Sequence, residues 1–192
     1  VMAVAFVANV GFTARDYFLR WPHIPAVGFV WQRDFVAVAE WLDAHPEIES
    51  VTVAGLSNAT MDAPSLSLLL QREVAALRWV DTGSPLSAGG ALVVPAVGGR
   101  LIVPDVVPLD ATLAAYLADR GASKQQHARF AVFDLPPPAP AATMISWENL
   151  AFEKLTPITS SWRAGERVTL LSHWRAVSGA HPPTKISVHL VD

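Results

Sequence analysis

Among the residues of this chain, Gly55-Leu-Ser57-Asn-Ala59 comes nearest to a reactive centre. It follows a β-branched run and approaches Gly-x-Ser-x-Gly, the strained strand-to-helix turn that lifts a serine hydroxyl to the edge of an α/β sheet. Its last position is Ala instead of Gly. A serine hydrolase using Ser57 would need an acid and a histidine further along the chain, and Asp105 and His127 can be nominated. Neither lies in a motif of its own. The distance from Ser57 to Pro64 predicts a helix that starts well after the turn rather than at it. The competing reading is a polar loop at the carboxyl end of a strand, where open α/β sheets hold ligands. On that reading Ser57, Asn58 and Asp62 are candidate ligand-binding residues and no residue is catalytic. Asn58-Ala-Thr60 also matches a glycosylation sequon, although an Asn equally suits a turn.

Other chemistries leave weaker traces. The 6 His do not cluster in sequence. His173 and His189 share the outer face of two expected strands and could begin a zinc site, but no third ligand is evident and surface His is the ordinary case. No metal site is assigned. Gly89-Gly90 and Gly98-Gly99 lack the Lys and Ser/Thr of a phosphate loop and the spacing of a dinucleotide fingerprint, so no cofactor is expected. The carboxylates are scattered, and no acid–base pair at glycosidase separation can be proposed. Trp147, Trp162 and Trp174 could form a sugar platform, or Trp174 could fill a sheet core with the others at its rim.

The elements that would position these residues fall into two groups. In 34–45, Phe35, Val38, Ala39 and Leu42 recur at helical spacing and Pro46 ends the pattern. Val51 to Leu56 reads as a buried strand. Asp62 or Ala63 then caps a helix through about Arg72, with Pro64 in its first turn and Leu66, Leu69 and Leu70 inward. Leu77 to Val80 is the next strand, giving a strand–helix–strand unit that should be parallel and right-handed. Ala91–Val94 and Leu101–Val103 are further strands. Asp110 caps a helix with Leu113, Tyr116 and Leu117 inward and Gly121 past its end. Phe130–Leu135 is the last strand of a small three-layer, Rossmann-like α/β domain of about five strands.

The Pro-rich stretch Leu135-Pro-Pro-Pro-Ala-Pro-Ala-Ala142 favours extended geometry and marks a boundary. Beyond it only strand patterns occur, near 147–156, 167–176 and 184–192. Three strands do not close a sandwich, so an incomplete antiparallel β-sandwich is expected. The expected organisation is 1–21 membrane helix end and interface, 22–135 α/β domain, 136–146 linker and 147–192 partial sandwich.

Composition narrows the function classes. The chain has 192 residues, 52% of them hydrophobic and 16% charged, which supports a packed core and argues against disorder. A net charge of −3 argues against a nucleic-acid partner or an anionic-membrane surface. With 0 Cys there are no disulfides, thiolate nucleophiles or Cys-ligated zinc. The first twelve residues, Val1 to Phe12, are an apolar run with no basic segment before it and no cleavage site after it. At about 1.5 Å per residue they reach about 18 Å, short of a bilayer core of about 30 Å. They read as the last part of a membrane helix, or alternatively as a buried helix of a water-soluble domain. Arg15, Asp16, Tyr17 and Trp21, with Phe18 and Arg20, form the aromatic and basic belt typical of a helix leaving lipid. Positive residues after a helix more often mark the cytoplasmic side.

Thr13-Ala-Arg-Asp-Tyr-Phe-Leu-Arg-Trp21 after an apolar helix end resembles a stretch of polytopic GT-C type membrane glycosyltransferases similar to dolichyl-phosphate-mannose–protein mannosyltransferases. Gln32 to Leu42, Leu77-Arg-Trp-Val-Asp81, Leu92-Val-Val-Pro-Ala96, the Pro-rich linker, Gly165 to Arg175 and Lys185 to Asp192 resemble their extracytoplasmic α/β domain and appended β-sandwich in the same order. The resemblance implies a non-catalytic, extracytoplasmic portion of a cell-membrane enzyme that moves a sugar from a polyprenyl-phosphate donor. Its partners would be membrane lipid, the rest of the enzyme's membrane core, and a glycan or lipid-linked sugar. The family's catalytic Asp lies in an early loop that no position here matches, so no catalytic residue is carried over. An Arg15 at the membrane surface suits a lipid phosphate, or it snorkels beside Asp16. A membrane-anchored carbohydrate-binding or scaffold module is the alternative from another class.

Overall fold

A computed structural model describes residues 2–83, 98–137, 145–147, 150–157, 163 and 170–176. The chain divides into two compact units, Val1–Pro138 and Ala139–Asp192.

The first unit has α1 (Met2–Arg15) at its start, and none of that helix's residues is buried. A wide helical turn, Asp16–Arg20, and a tight one, Trp21–His23, lead to α2 (Pro25–Val30) and α3 (Arg33–Ala44). Phe35, Val38, Ala39 and Leu42 of α3 are buried, which is the face expected from their spacing. Strand β1 (Ser50–Ala54), helix α4 (Ala63–Leu69) and strand β2 (Ala76–Val80) make the expected parallel unit, with Ser50 opposite Ala76 and Ala54 opposite Val80. Strand β3 (Gly99–Pro104) pairs parallel to β1 on its other side. Helix α5 (Ala111–Asp119) follows, and Gly121 closes it with a positive φ of 71°. The amide nitrogen of Ala122 donates to the carbonyl of Leu117, as a left-handed helix cap requires.

Two strands complete the sheet, β4 (Ser123–Gln126) and β5 (Phe130–Leu135), in the order β2-β1-β3-β5-β4. The fold is mixed α/β with a mixed sheet, because β5 runs antiparallel to both β3 and β4. After α5 the chain lays β4 at the edge and folds back through a hairpin, so that β5 enters between β4 and β3. All four residues of β4, Ser-Lys-Gln-Gln, are exposed. It carries no apolar pattern, and a polar edge strand of this kind also resists pairing with another chain. The sequence reading therefore missed it. The expected strand at 91–94 lies outside the described residues.

Residues on both faces of the central strands are buried: Val51 to Ala54 of β1, Leu101 to Val103 of β3 and Phe130 to Phe133 of β5. Near-continuous apolar runs are what a sheet covered on both sides demands. Helix α4 ends at Leu69, not near Arg72. Arg72 turns back instead and donates to the carbonyls of Leu42, His45 and Ile48 at 3.0 Å each, closing the carboxyl end of α3.

The helix expected to be the tail of a membrane span does form. Among the described residues, however, no helix is long and apolar enough to cross a membrane. The 14 residues of α1 reach about 21 Å at about 1.5 Å each.

In the second unit, β6 (Ile145–Trp147), β7 (Leu150–Pro157) and β8 (Leu170–Ala176) form an antiparallel sheet in that order. The strand expected near 147–156 is β7, and β6 is a further strand that pairs antiparallel with it. The register slips between Phe152 and Lys154, leaving Glu153 as the extra residue of a bulge. Glu153 accepts from Arg175 at 2.7 Å, and the rings of Phe152 and Trp174 lie 5.0 Å apart. The expected strand at 184–192 lies outside the described residues.

Candidate functional site: a crevice at the carboxyl ends of β1 and β3

Strands β1 and β3 are parallel neighbours, and their carboxyl ends open into a crevice of about 250 Å³. Ser57, Met61 and Asp62 line it from the loop after β1, Asp105 and Val106 from the end of β3, and Gln32 to Phe35 from the start of α3. Pro25, Gly28 and Phe29 of α2 form another wall. This is the position at which open α/β sheets hold ligands.

Asp62 organises the loop after β1. It is only 2% exposed, and its Oδ2 accepts from the amide nitrogens of Leu56 and Ser57 at 2.7 Å each. Its Oδ1 accepts from Gln32 Nε2 at 3.0 Å and lies 3.5 Å from Ser57 Oγ. A buried carboxylate in a ring of donors is held firmly, because removing either side leaves desolvated polar groups. The consequence is chemical. The donors that would cradle an anionic ligand at this strand end are already taken by a carboxylate of the same loop.

The expected placement of the helix after Ser57 changes too. A wide helical turn over Asn58–Asp62 runs straight into α4, so helical structure starts directly after Ser57. Strand, Ser57 and helix thus follow one another in the order of a nucleophile elbow, but Ser57 lacks the positive φ of that strained turn. Among the described residues no histidine bonds Ser57. The nominated base, His127, stacks on Phe130 with 4.6 Å between ring centroids and has Trp41 at 5.7 Å. The nominated acid, Asp105, accepts from Gln126 Nε2 at 3.2 Å. The three residues are each engaged elsewhere, and the structure brings only Ser57 and Asp105 to the crevice.

Sequence reasoning missed the residues that approach from the amino end of α3. Gln32 has φ of 52° and ψ of 36°, the left-handed region that costs a non-glycine residue about 1–2 kcal/mol. This backbone aims the amide at Asp62. Because Nε2 must donate to the carboxylate, Oε1 faces away, and it is buried without a partner among the described residues. Arg33 packs its guanidinium against Gly28, where an added Cβ would lie 3.2 Å from it, and donates to the carbonyl of Pro22. Its Nε is likewise buried without a partner. Asp34 accepts from the amide nitrogen of Val106 at 3.0 Å and pairs with Arg129 at 3.5 Å. A positive φ at a glutamine has no local sequence signature, so only the contact with a residue 30 positions away discloses it.

The membrane-interface candidates are outside the crevice. Arg15 is the last residue of α1, Asp16 and Arg20 pair at 3.9 Å one turn apart, and Tyr17 meets Trp21 at 5.3 Å between centroids. Of the two histidines considered for zinc, His173 lies in β8 and His189 is outside the described residues. Among the described residues no group of three or more His, Cys, Asp or Glu could hold a metal ion. No protein-family model, curated protein or solved structure matches this chain.

Proposed function

We propose that this chain is the non-catalytic, extracytoplasmic portion of a membrane glycosyltransferase that uses a polyprenyl-phosphate sugar donor, with α1 seated in lipid. The observation that carries the membrane part is α1 itself. It has no charged residue from Met2 to Ala14 and buries none of its side chains. A helix that is apolar all round needs a nonaqueous environment, and among the described residues its own domain does not supply one. Arg15, Tyr17, Arg20 and Trp21 follow as the headgroup-level belt. The enzyme class rests on the sequence resemblance. On this reading the crevice is where the domain meets a glycan or a lipid-linked sugar, and the cell membrane is the location.

Vesicle flotation tests the membrane part. The chain should rise with phosphatidylcholine vesicles, and the double substitution Val7→Glu and Val10→Glu should abolish flotation without changing the melting of the α/β unit. A chain that is monodisperse without lipid or detergent, with α1 protected by its own domain, overturns it. The coding sequence upstream of Val1 tests the enzyme part. About eight or more apolar segments of about 20 residues support the glycosyltransferase, whereas one supports a membrane-anchored carbohydrate-binding or scaffold module.

A further inference from the structure

Helix α2 has no polar side chain on any face, the exposed one included. Its residues Pro25, Ala26, Phe29 and Val30 are exposed and fall on one face, while Val27 and Gly28 are half-buried. A surface helix ordinarily turns polar residues outward. Here the exposed face is wholly apolar, and a guanidinium, that of Arg33, lies against Gly28 on the inner side. Phe29 is 49% exposed, Val30 64% and the following Trp31 69%. Helix α3 shows the ordinary arrangement, with Phe35, Val38, Ala39 and Leu42 inward and Glu40 outward.

The exposed apolar residues are concentrated in one stretch of the chain. Of the seventeen large hydrophobic residues exposed among the described ones, thirteen lie between Met2 and Trp31. Two more, Leu56 and Met61, line the crevice beside Pro25 and Phe29. Isolated exposed hydrophobics need no explanation, but a concentration of this kind marks a binding surface.

We infer that α2 and Trp31 form a second membrane contact, lying in the headgroup region and continuing the surface that begins with α1. The inference rests on the reading that α1 is seated in lipid. Continuity along the chain and composition both favour a bilayer over a protein partner. Trp21 and Trp31 bracket the segment, Arg20 and His23 stand before α2, and no acidic residue occurs between Tyr17 and Gln32. Aromatic and basic side chains flanking a short apolar helix are what the membrane interface selects. With α2 so placed, the crevice walled by Pro25 and Phe29 opens at headgroup level, and its ligand arrives from the plane of the membrane.

The chain has no cysteine, so single-cysteine variants are direct probes. Phe6→Cys, Val30→Cys and Leu68→Cys, each carrying a nitroxide, are placed in mixed phosphatidylcholine and phosphatidylglycerol vesicles. Their collision with a water-soluble relaxant is then measured. Positions 6 and 30 should be shielded and position 68, on α4, accessible. Accessibility at position 30 with position 6 shielded overturns this inference alone. Accessibility at both overturns the reading of α1 as well. Shielding at position 30 in detergent that rises with protein concentration shows that a second copy covers the face, which also overturns it. A second measurement avoids labels: Val30→Asp with Trp31→Ser should lower vesicle-bound protein about threefold or more at limiting lipid with unchanged melting. Unchanged binding in that variant counts against the inference.

Discussion

Asp62 Oδ2 lies 2.7 Å from the amide nitrogen of Ser57, so the loop after β1 is closed by a carboxylate from five residues further on. The backbone of the serine that looks most reactive in the sequence is thereby held by that carboxylate. Asp62→Ala should destabilise the α/β unit by about 3 kcal/mol, since it strips several donors of a charged, buried acceptor. Ser57→Ala should cost less than about 1 kcal/mol, because its hydroxyl is the most distant partner at 3.5 Å. Urea unfolding of both variants checks the order. A fluorophosphonate probe should leave Ser57 unlabelled in the parent protein.

Arg72 closes the carboxyl end of α3 through three carbonyls. Arg72→Ala should cost about 2–3 kcal/mol, and Arg72→Lys should recover only part of it, because Nε and Nη2 both donate to the carbonyl of Leu42 and an ammonium cannot reproduce that planar fork. Chemical denaturation that finds the two variants equal would refute a fork-specific role.

Two glycines with positive φ should respond differently to alanine. At Gly98, with φ of 92°, a Cβ would sit 2.7 Å from the carbonyl oxygen of Leu135, which is backbone and cannot give way easily. At Gly121, with φ of 71°, nothing lies within 4 Å. Gly121→Ala should cost about 1 kcal/mol from conformation alone, and Gly98→Ala should cost distinctly more. Thermal melting under one set of conditions ranks them.

Helix α4 gives an internal control for packing. Leu66 is fully buried and Leu68 is 88% exposed, two positions apart on the same helix. Leu66→Ala should lose about 2–5 kcal/mol and Leu68→Ala should stay within about 0.5 kcal/mol of the parent.

Much of the α/β unit was legible residue by residue. Phe35, Val38, Ala39 and Leu42 announced α3 by spacing, Asp110 and Gly121 bounded α5, and the β-branched run at 51–54 announced a buried strand. These signals are local, carried by the period of the helix and the pleat of the strand. That a crevice would open beside Ser57 and Asp62 was legible as well, because the carboxyl end of a parallel strand leaves such a gap. The bonding inside it was not. Gln32 and Asp62 are 30 residues apart, and Asp62 looked like a helix cap because nothing nearby in sequence shows that its carboxylate faces backward to Leu56 and Ser57.

By itself, the sequence determined that this chain has a packed α/β core, lacks thiol chemistry and begins with an apolar helix, since composition and short-range periodicity decide those properties. Only the tertiary structure decided that β5 enters antiparallel beside β3, that a polar segment serves as the edge strand β4, and that α2 leaves Phe29 and Val30 exposed. Each of these depends on which partners meet in space. A face is core or surface only with respect to what packs against it, and among the described residues neither α1 nor the outer face of α2 finds that cover.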